Sequence, residues 1–335
     1  MKKRILLTGA FGNIGSFVID ELLLQGFHVI AFDKKTPVTA KNSKRFRHPE
    51  VDIHWGDITD KQSVKSAIDS LRVDAVIHLA GIFPPLSENN PGLAKAVNVD
   101  GTRNIIEAME ESVSAKRLVF ASSIAVYGKQ QGKVSPPLSV SHPVTPGDHY
   151  GEHKAECERM IQDSSLDWSL LRISACPPVN IKNMDSFKGA PLLELHPDSH
   201  VEIIHPADVA LAFVNAVNCE EARGKIFLLG GGAKNQITTH ELVNAMFAAL
   251  GLKPLPREAL QITDEIEFHG DWLDTVESQR VLQFQRYDTQ KIYKDFRASF
   301  GVARHGLVLL KTCSPVLHWF ILKTSPYYKK QKSTR

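Results

Sequence analysis

Tyr150 and Lys154 stand four residues apart in the stretch YGEHK, inside a segment whose pattern predicts a helix over 150–164. Residues i and i+4 share a helix face, so a phenol and an ammonium can converge on one point. A free tyrosine gives up its proton only near a pH of about 10. A nearby ammonium favours the phenolate, and the pair can then take up or supply a hydroxyl proton. Ser123 closes the run KRLVFASS, and a serine at a strand end can hydrogen-bond the reacting oxygen. A Tyr-x-x-x-Lys pair is common on surface helices, so it acquires meaning only beside a second constellation.

That constellation is TGAFGNIG at 8–15, directly after the apolar run RILL. Gly9 permits a tight turn, Gly12 lets backbone approach a pyrophosphate, and Gly15 lets helix and strand pack together. Phe11, Asn13 and Ile14 share this turn and count with the three glycines as cofactor-contacting. The following helix start would present free N–H groups and a positive dipole end to the phosphates. Asp33 ends the next apolar run, eighteen residues beyond Gly15. A carboxylate there accepts from the ribose hydroxyls and repels a 2′-phosphate, which favours NAD. Lys34 and Lys35 follow and could pair with a phosphate, so NADP stays open. Together the two motifs describe hydride transfer to or from a nicotinamide, with Lys154 also placed to hold its ribose.

Positioning these residues takes alternating strands and helices. Apolar runs predict strands over 4–8, 28–33, 51–57, 74–81, 116–123 and 167–174, with helices over 15–26, 61–71, 92–112 and 150–164. That rhythm predicts an α/β fold, a doubly wound parallel sheet of the Rossmann type with a small C-terminal substrate lobe. Residues 1–175 form the expected dinucleotide-binding domain. Residues 176–300 form the expected substrate lobe, with segments returning to the main sheet, and 301–335 an apolar and basic tail.

Bulk properties narrow the class. The chain has 335 residues, 43% hydrophobic and 23% charged, with a net charge of +3. Much of that excess sits in the last thirty residues, and no basic stripe interleaved with aromatics suggests a nucleic-acid partner. Cys157, Cys176, Cys219 and Cys313 lack pair or metal spacing, which fits a reducing cytoplasm. The histidines show no ligand grouping, so no metal is expected. MKKRILLTGA has too short an apolar run for a signal peptide and reads as a first strand.

In chain order, TGAFGNIG, GDITD, HLAG, NVDGTRNIIEA, ASSIAVYG, YGEHK, HPADVALAFVNAV and GKIFLLGGG resemble the extended short-chain dehydrogenase/reductases, the group of NAD-dependent epimerases and dehydratases. The resemblance spans about 4–290. It implies that Asp57 and Ile58 line the adenine pocket, and that Leu79, Ala80 and Gly81 pass along the cofactor. It also places Asn98 and Pro177 at the cofactor, the latter near the nicotinamide. Ser123 matches the family's catalytic serine, Tyr150 its acid/base and Lys154 its ribose-binding lysine. Tyr127 is taken with Ser123 and Tyr150 as substrate-contacting. A homodimer through the helices at 92–112 and 150–164 is the implied assembly.

Departures bear on the substrate. The sugar dehydratases carry an Asp–Glu pair where Ile124 and Ala125 stand, so that elimination is not expected. The phosphate-clamping arginine of sugar epimerases is replaced by Phe268, beside Glu267, which loses a charge-assisted contact. GIFPPL places Ile82, Phe83 and Leu86 where they could wall an apolar pocket or pack on the lobe. The leading expectation is an oxidoreductase acting on a relatively apolar secondary alcohol or ketone. A nucleotide-sugar 4-epimerase is the alternative, and a non-catalytic NAD-binding sensor or scaffold a third. Residues 305–335 fit either a packed C-terminal helix or a surface-lying segment on an anionic bilayer. The location is accordingly cytoplasmic, with membrane association under the second reading.

Overall fold

The computed structural model describes residues 2–180, 195–249, 251–262 and 270–300, with His318, Trp319, Leu322, Lys323 and Tyr328 of the C-terminal segment. Seven strands build one parallel sheet: β1 (Arg4–Thr8), β2 (His28–Asp33), β3 (Val51–Trp55), β4 (Ala75–His78), β5 (Arg117–Ser123), β6 (Asp167–Ile173) and, after β7 (His200–Glu202), β8 (Lys225–Leu229). Their order is β3-β2-β1-β4-β5-β6-β8. The direction of winding reverses between β1 and β4, where Thr8 pairs with His78. Open sheets of this kind bind ligands in the crevice at such a reversal.

The strands are apolar on both faces because helices cover both. Ile5 and Leu7 of β1 face the layer of α1 (Gly15–Leu24), while Leu6 faces the opposite core. On that opposite side lie α3 (Lys61–Ser70), α4 (Leu86–Asn89), α5 (Pro91–Lys95), α6 (Gly101–Glu111) and α7 (His149–Gln162), of which α3, α6 and α7 supply core residues. The short α2 (Pro37–Asn42) stays on the α1 side, where Asn42 donates to the Phe11 carbonyl. Beside α1 packs α8 (Pro206–Asn218), contributing Val209, Phe213 and Val217. Burying both faces is what a parallel sheet requires.

The helix expected over 92–112 is interrupted. Residues Ala96–Asp100 form a π turn between α5 and α6. Here the Asn98 carbonyl accepts from the Thr102 hydroxyl at 2.5 Å and the Cys157 thiol at 3.1 Å. Single π turns inside helices recur at functional sites. The strands expected over 51–57 and 74–81 stop at Trp55 and His78. Beyond His78, the Leu79 N–H divides between the Thr8 carbonyl at 3.3 Å and the Thr8 hydroxyl at 3.2 Å, and the Ala80 N–H turns to that hydroxyl at 3.2 Å, where the ladder ends.

After β6, β8 joins the main sheet, while β7 pairs antiparallel with β9 (Gln236–Thr238). Val201 and Ile203 pack on Ile292 of α11 (Thr289–Ala298). A further cluster joins Val243 of α9 (Thr239–Ala249) to Leu255 and Leu260, and α10 (Val276–Leu282) packs near β8. Leu322 packs against that last cluster, and His318 Nε2 lies 2.8 Å from the Pro254 carbonyl. Trp319 is exposed, with the Lys323 ammonium over its ring. These contacts follow the packed-tail reading; most of 305–335 lies outside the described residues. No described helix is long and apolar enough to cross a membrane.

Candidate active site

The glycine turn is shaped by space that no side chain could share. A Cβ on Gly9, where φ is +67°, would lie 2.9 Å from the Ala80 nitrogen. A Cβ on Gly15 would lie 2.2 Å from the Gly9 carbonyl oxygen. So α1 begins hard against the turn, and its first N–H groups face the crevice at the β1/β4 reversal. No side chain caps this helix start. The Ser16, Phe17 and Val18 N–H groups are taken up by the Gly12 and Ile14 carbonyls, and it is the Asn13, Ile14 and Gly15 N–H groups just before them, over a close-packed backbone, that suit a pyrophosphate. Phe11 packs its ring into the core against Phe46 and Trp55, so only its backbone serves the turn. That backbone N–H donates to Asp33 Oδ2 at 2.8 Å, and the Lys34 N–H donates to Oδ1 at 2.8 Å. Each Asp33 oxygen keeps a lone pair for a ribose hydroxyl. Burial raises the Asp33 pKa from its ordinary value, and the Phe11 and Lys34 N–H groups oppose that rise. Lys34 is paired with Asp57 at 2.8 Å, which places a second carboxylate beside the first. The residues present therefore fit a dinucleotide with a free 2′-hydroxyl.

The other wall is Leu79, Ala80 and Gly81. A Cβ on Gly81 would lie 3.2 Å from Asn98 Oδ1 and 3.7 Å from Lys154 Nζ. Asn13 reaches across to the Cys176 carbonyl at 3.4 Å, beside Pro177, and its Oδ1 is buried with no hydrogen-bond partner. An orphaned acceptor at this point fits a donor from a bound group.

At the carboxyl end of β5 the proton-transfer residues meet. The Tyr150 phenol lies close enough to the Ser123 hydroxyl to feel it, and the Lys154 ammonium lies 5.8 Å from the Tyr150 ring centroid. Lys154 is 5% exposed and donates to the Ala121 carbonyl at 2.6 Å. Two caps set the first turn of α7: Asp148 accepts from the Gly151 N–H at 2.7 Å, and Glu88 accepts from the His149 and Tyr150 N–H groups. Burial pushes the Tyr150 phenol up to about 12, and the nearby Ser123 hydroxyl opposes that rise. This qualifies the expectation that Lys154 lowers the tyrosine. In this arrangement its ammonium is spent on Ala121, and burial lowers its own pKa.

Three sequence expectations change role. Tyr127 is fully buried: its hydroxyl donates to the Ser139 carbonyl at 3.1 Å and accepts from Arg172 Nη1 at 2.6 Å. It anchors the loop after β5 and does not face the crevice. Asn98 is 2% exposed, and its amide clamps the Ile82 backbone through bonds of 2.7 and 2.8 Å. The Ile58 side chain is packed under Gly101. These residues shape the crevice from behind. Ile82 is partly buried and Phe83 exposed just beyond Gly81, where substrate would lie. Phe268 and Glu267 lie outside the described residues.

The sequence reading missed the groups that hold this frame: Thr8, Glu88, Glu158 and Arg172. Glu158 follows Lys154 by four residues, so the spacing that picked out Tyr150 and Lys154 extends one turn further to it. Among the described residues no His, Cys, Asp and Glu cluster could hold a metal.

A doubly wound sheet with a glycine turn at its reversal and a Ser–Tyr–Lys set on its rim defines a dinucleotide-dependent enzyme class. Residues 5–177 match the family model of the NAD dependent epimerase/dehydratase family, and the chain belongs to that family. It is 32% identical over 187 residues to UDP-glucose 4-epimerase 2 of Oryza sativa subsp. japonica, covering 53% of this chain and 45% of that one. It is 30% identical over 166 residues to D-erythronate dehydrogenase of Haemophilus influenzae, covering 48% and 50%. The match thus spans about half the length of these relatives. The fold is shared with UDP-glucose-4-epimerase from Stenotrophomonas maltophila, solved with NAD and formylated UDP-arabinopyranose. That likeness has a TM-score of 0.74 at 22% identity and covers 91% of this chain and 99% of that one.

Proposed function

We propose that this chain is an NAD-dependent oxidoreductase acting on a secondary alcohol or its ketone, with apolar surroundings at the reacting carbon. The observation that carries the reading is the meeting of the Tyr150 phenol, the Ser123 hydroxyl and the Lys154 ammonium at the carboxyl end of β5, on the rim next to the glycine turn. Gly9–Gly15, Asp33, Asp57 and Leu79–Gly81 would hold the cofactor, which supplies the two-electron acceptor or donor. Ser123 orients the substrate oxygen, and Tyr150 exchanges its proton. Lys154 lies within reach of the ribose side of the crevice. Ile82 and Phe83 wall the substrate on the apolar side. The expected assembly is a homodimer through α6 and α7.

Replacing Tyr150 with Phe should lower turnover by at least about a hundredfold, the ordinary contribution of a general acid or base. NAD affinity, read by calorimetry, should stay within a few fold. Turnover that survives this change with a true substrate would refute the assignment.

A second reading, a nucleotide-sugar 4-epimerase, is favoured by the rice relative. The same three residues would serve it. Thermal stabilisation by UDP- or GDP-sugars alone, with no response to apolar alcohols, would put that reading first.

A further inference from the structure

A second polar cluster stands on the same rim, outside the Ser123–Tyr150–Lys154 chemistry. Gly270 donates to the Gly128 carbonyl at 3.0 Å and lies so close to Ile124, the residue after Ser123, that a Cβ would stand 2.6 Å from its Cδ1. The next residue, Asp271, is 3% exposed. Its Oδ1 accepts from the Trp272 N–H at 2.7 Å and from His200 Nδ1 at 2.8 Å. The His200 ring stacks on Trp272, with centroids 3.9 Å apart and planes 12° from parallel. Gln131 grips the His200 main chain, accepting from its N–H at 2.8 Å and donating to its carbonyl at 2.6 Å.

His200 is thus fixed at its backbone, its ring face and Nδ1. With Nδ1 committed to Asp271, Nε2 is the ring nitrogen left for a ligand. A cavity of about 360 Å³ opens here, lined by Gln131, Lys133, Ser135, His200 and Asp271 among others. Asp271 Oδ1 already serves two donors, whereas Lys133 and Ser135 bring donors to the lining, and His200 Nε2 adds one when the ring carries both protons. Such a lining suits an acceptor-rich group, and a ring already held in place loses little freedom on binding.

We propose that His200 and Lys133 bind one anionic oxygen group of the substrate, a carboxylate or a phosphoryl, at the end remote from the reacting carbon. With both ring nitrogens protonated, His200 donates Nδ1–H to Asp271 and Nε2–H to the anion, while Lys133 supplies a second charge-assisted contact. His200 is then a specificity-determining residue. The inference rests on the oxidoreductase reading only for calling the bound molecule a substrate.

The test uses the full chain with NAD, labelled with ¹³C at the histidine rings and followed by NMR. The His200 Cε1–H signal is assigned by its loss in His200→Gln. Inorganic phosphate and acetate are the probes, each against sodium chloride at matched ionic strength. The expected result is a saturable shift of the His200 signal with at least one oxyanion, weakened fivefold or more by Lys133→Met. A response to phosphate alone points to a phosphoryl group, and one to acetate alone to a carboxylate. A shift that chloride reproduces, or an affinity that Lys133→Met leaves unchanged, overturns the proposal. Lys133 is exposed, so its replacement leaves the fold intact. Tyr150→Phe should keep the oxyanion response while losing turnover. Failure of that variant to lose turnover bears on the oxidoreductase reading, and absence of the oxyanion response bears on this one.

Discussion

Removing Glu158 tests what holds the proton-transfer residues in place. Glu158 and Arg172 are each 3% exposed and meet through two bonds, Nε to Oε1 at 2.9 Å and Nη2 to Oε2 at 2.7 Å. The Ser122 hydroxyl donates to the same carboxylate, and Arg172 reaches the Tyr127 hydroxyl with its remaining arm. Glu158→Ala leaves a buried guanidinium without its counter-charge, a loss of about 3–5 kcal/mol. The stranded Ser122 hydroxyl adds roughly 1 kcal/mol. Replacing both charges, as Glu158→Leu with Arg172→Met, removes the unpaired charge together with the pair. That double variant should cost at most about 2 kcal/mol, because apolar residues of similar volume often substitute for a buried ion pair with little penalty. Urea unfolding with a shared slope gives each value. A single-variant loss below about 1 kcal/mol, or a double-variant loss equal to the sum of the two singles, would refute the account of a buried, mutually dependent pair.

Two further changes follow from the same geometry. Gly15→Ala places a methyl 2.2 Å from the Gly9 carbonyl oxygen and 2.7 Å from that of Ala10, both backbone atoms. NAD affinity should fall at least tenfold by calorimetry, with a lowered melting temperature, and unchanged binding would contradict the packing described for the turn. Because burial raises the Tyr150 phenol to about 12, it is protonated at neutral pH and ready as a proton donor. Ketone reduction should therefore be nearly flat from pH 6 to 9, while alcohol oxidation, which needs the phenolate, rises with pH. A pH-independent oxidation rate over that range would remove Tyr150 as the base.

The cofactor half was legible because its requirements are local. Gly9, Gly12 and Gly15 answer to backbone geometry, Asp33 to the end of a strand, and each signal sits within one βαβ unit. Tyr150 and Lys154 were legible because a helix fixes which spacings meet. What failed was burial. Tyr127 and Asn98 carry polar groups in conspicuous motifs, yet their partners, Arg172 and Ile82, come from other elements. No spacing rule shows that those partners absorb the polar groups. The π turn at Ala96–Asp100 was hidden for a similar reason, since the Cys157 thiol that helps occupy the Asn98 carbonyl lies on α7. His200 and Asp271, seventy-one residues apart, were invisible to any local reading.

The buried polar groups join the legible parts into one frame. The Thr8 hydroxyl accepts from the Leu79 and Ala80 N–H groups, so its proton goes to His78 Nδ1 at 2.6 Å. His78 must then donate from Nε2 to Thr102, 3.1 Å away, and Thr102 donates to the Asn98 carbonyl. Burial, joined by the nearby Lys154 charge, pushes His78 down to about 3, so the ring stays neutral and its tautomer follows from its partners. The same Asn98 carbonyl takes the Cys157 thiol, and the Asn98 amide holds Ile82. An unbroken series of bonds thus runs from the strand under the glycine turn to the helix that carries Lys154. Every donor and acceptor in it is committed in one direction, and a half-satisfied version would be costly in so dry a setting. The cofactor crevice and the proton-transfer helix are therefore held in register by polar groups that touch neither cofactor nor substrate.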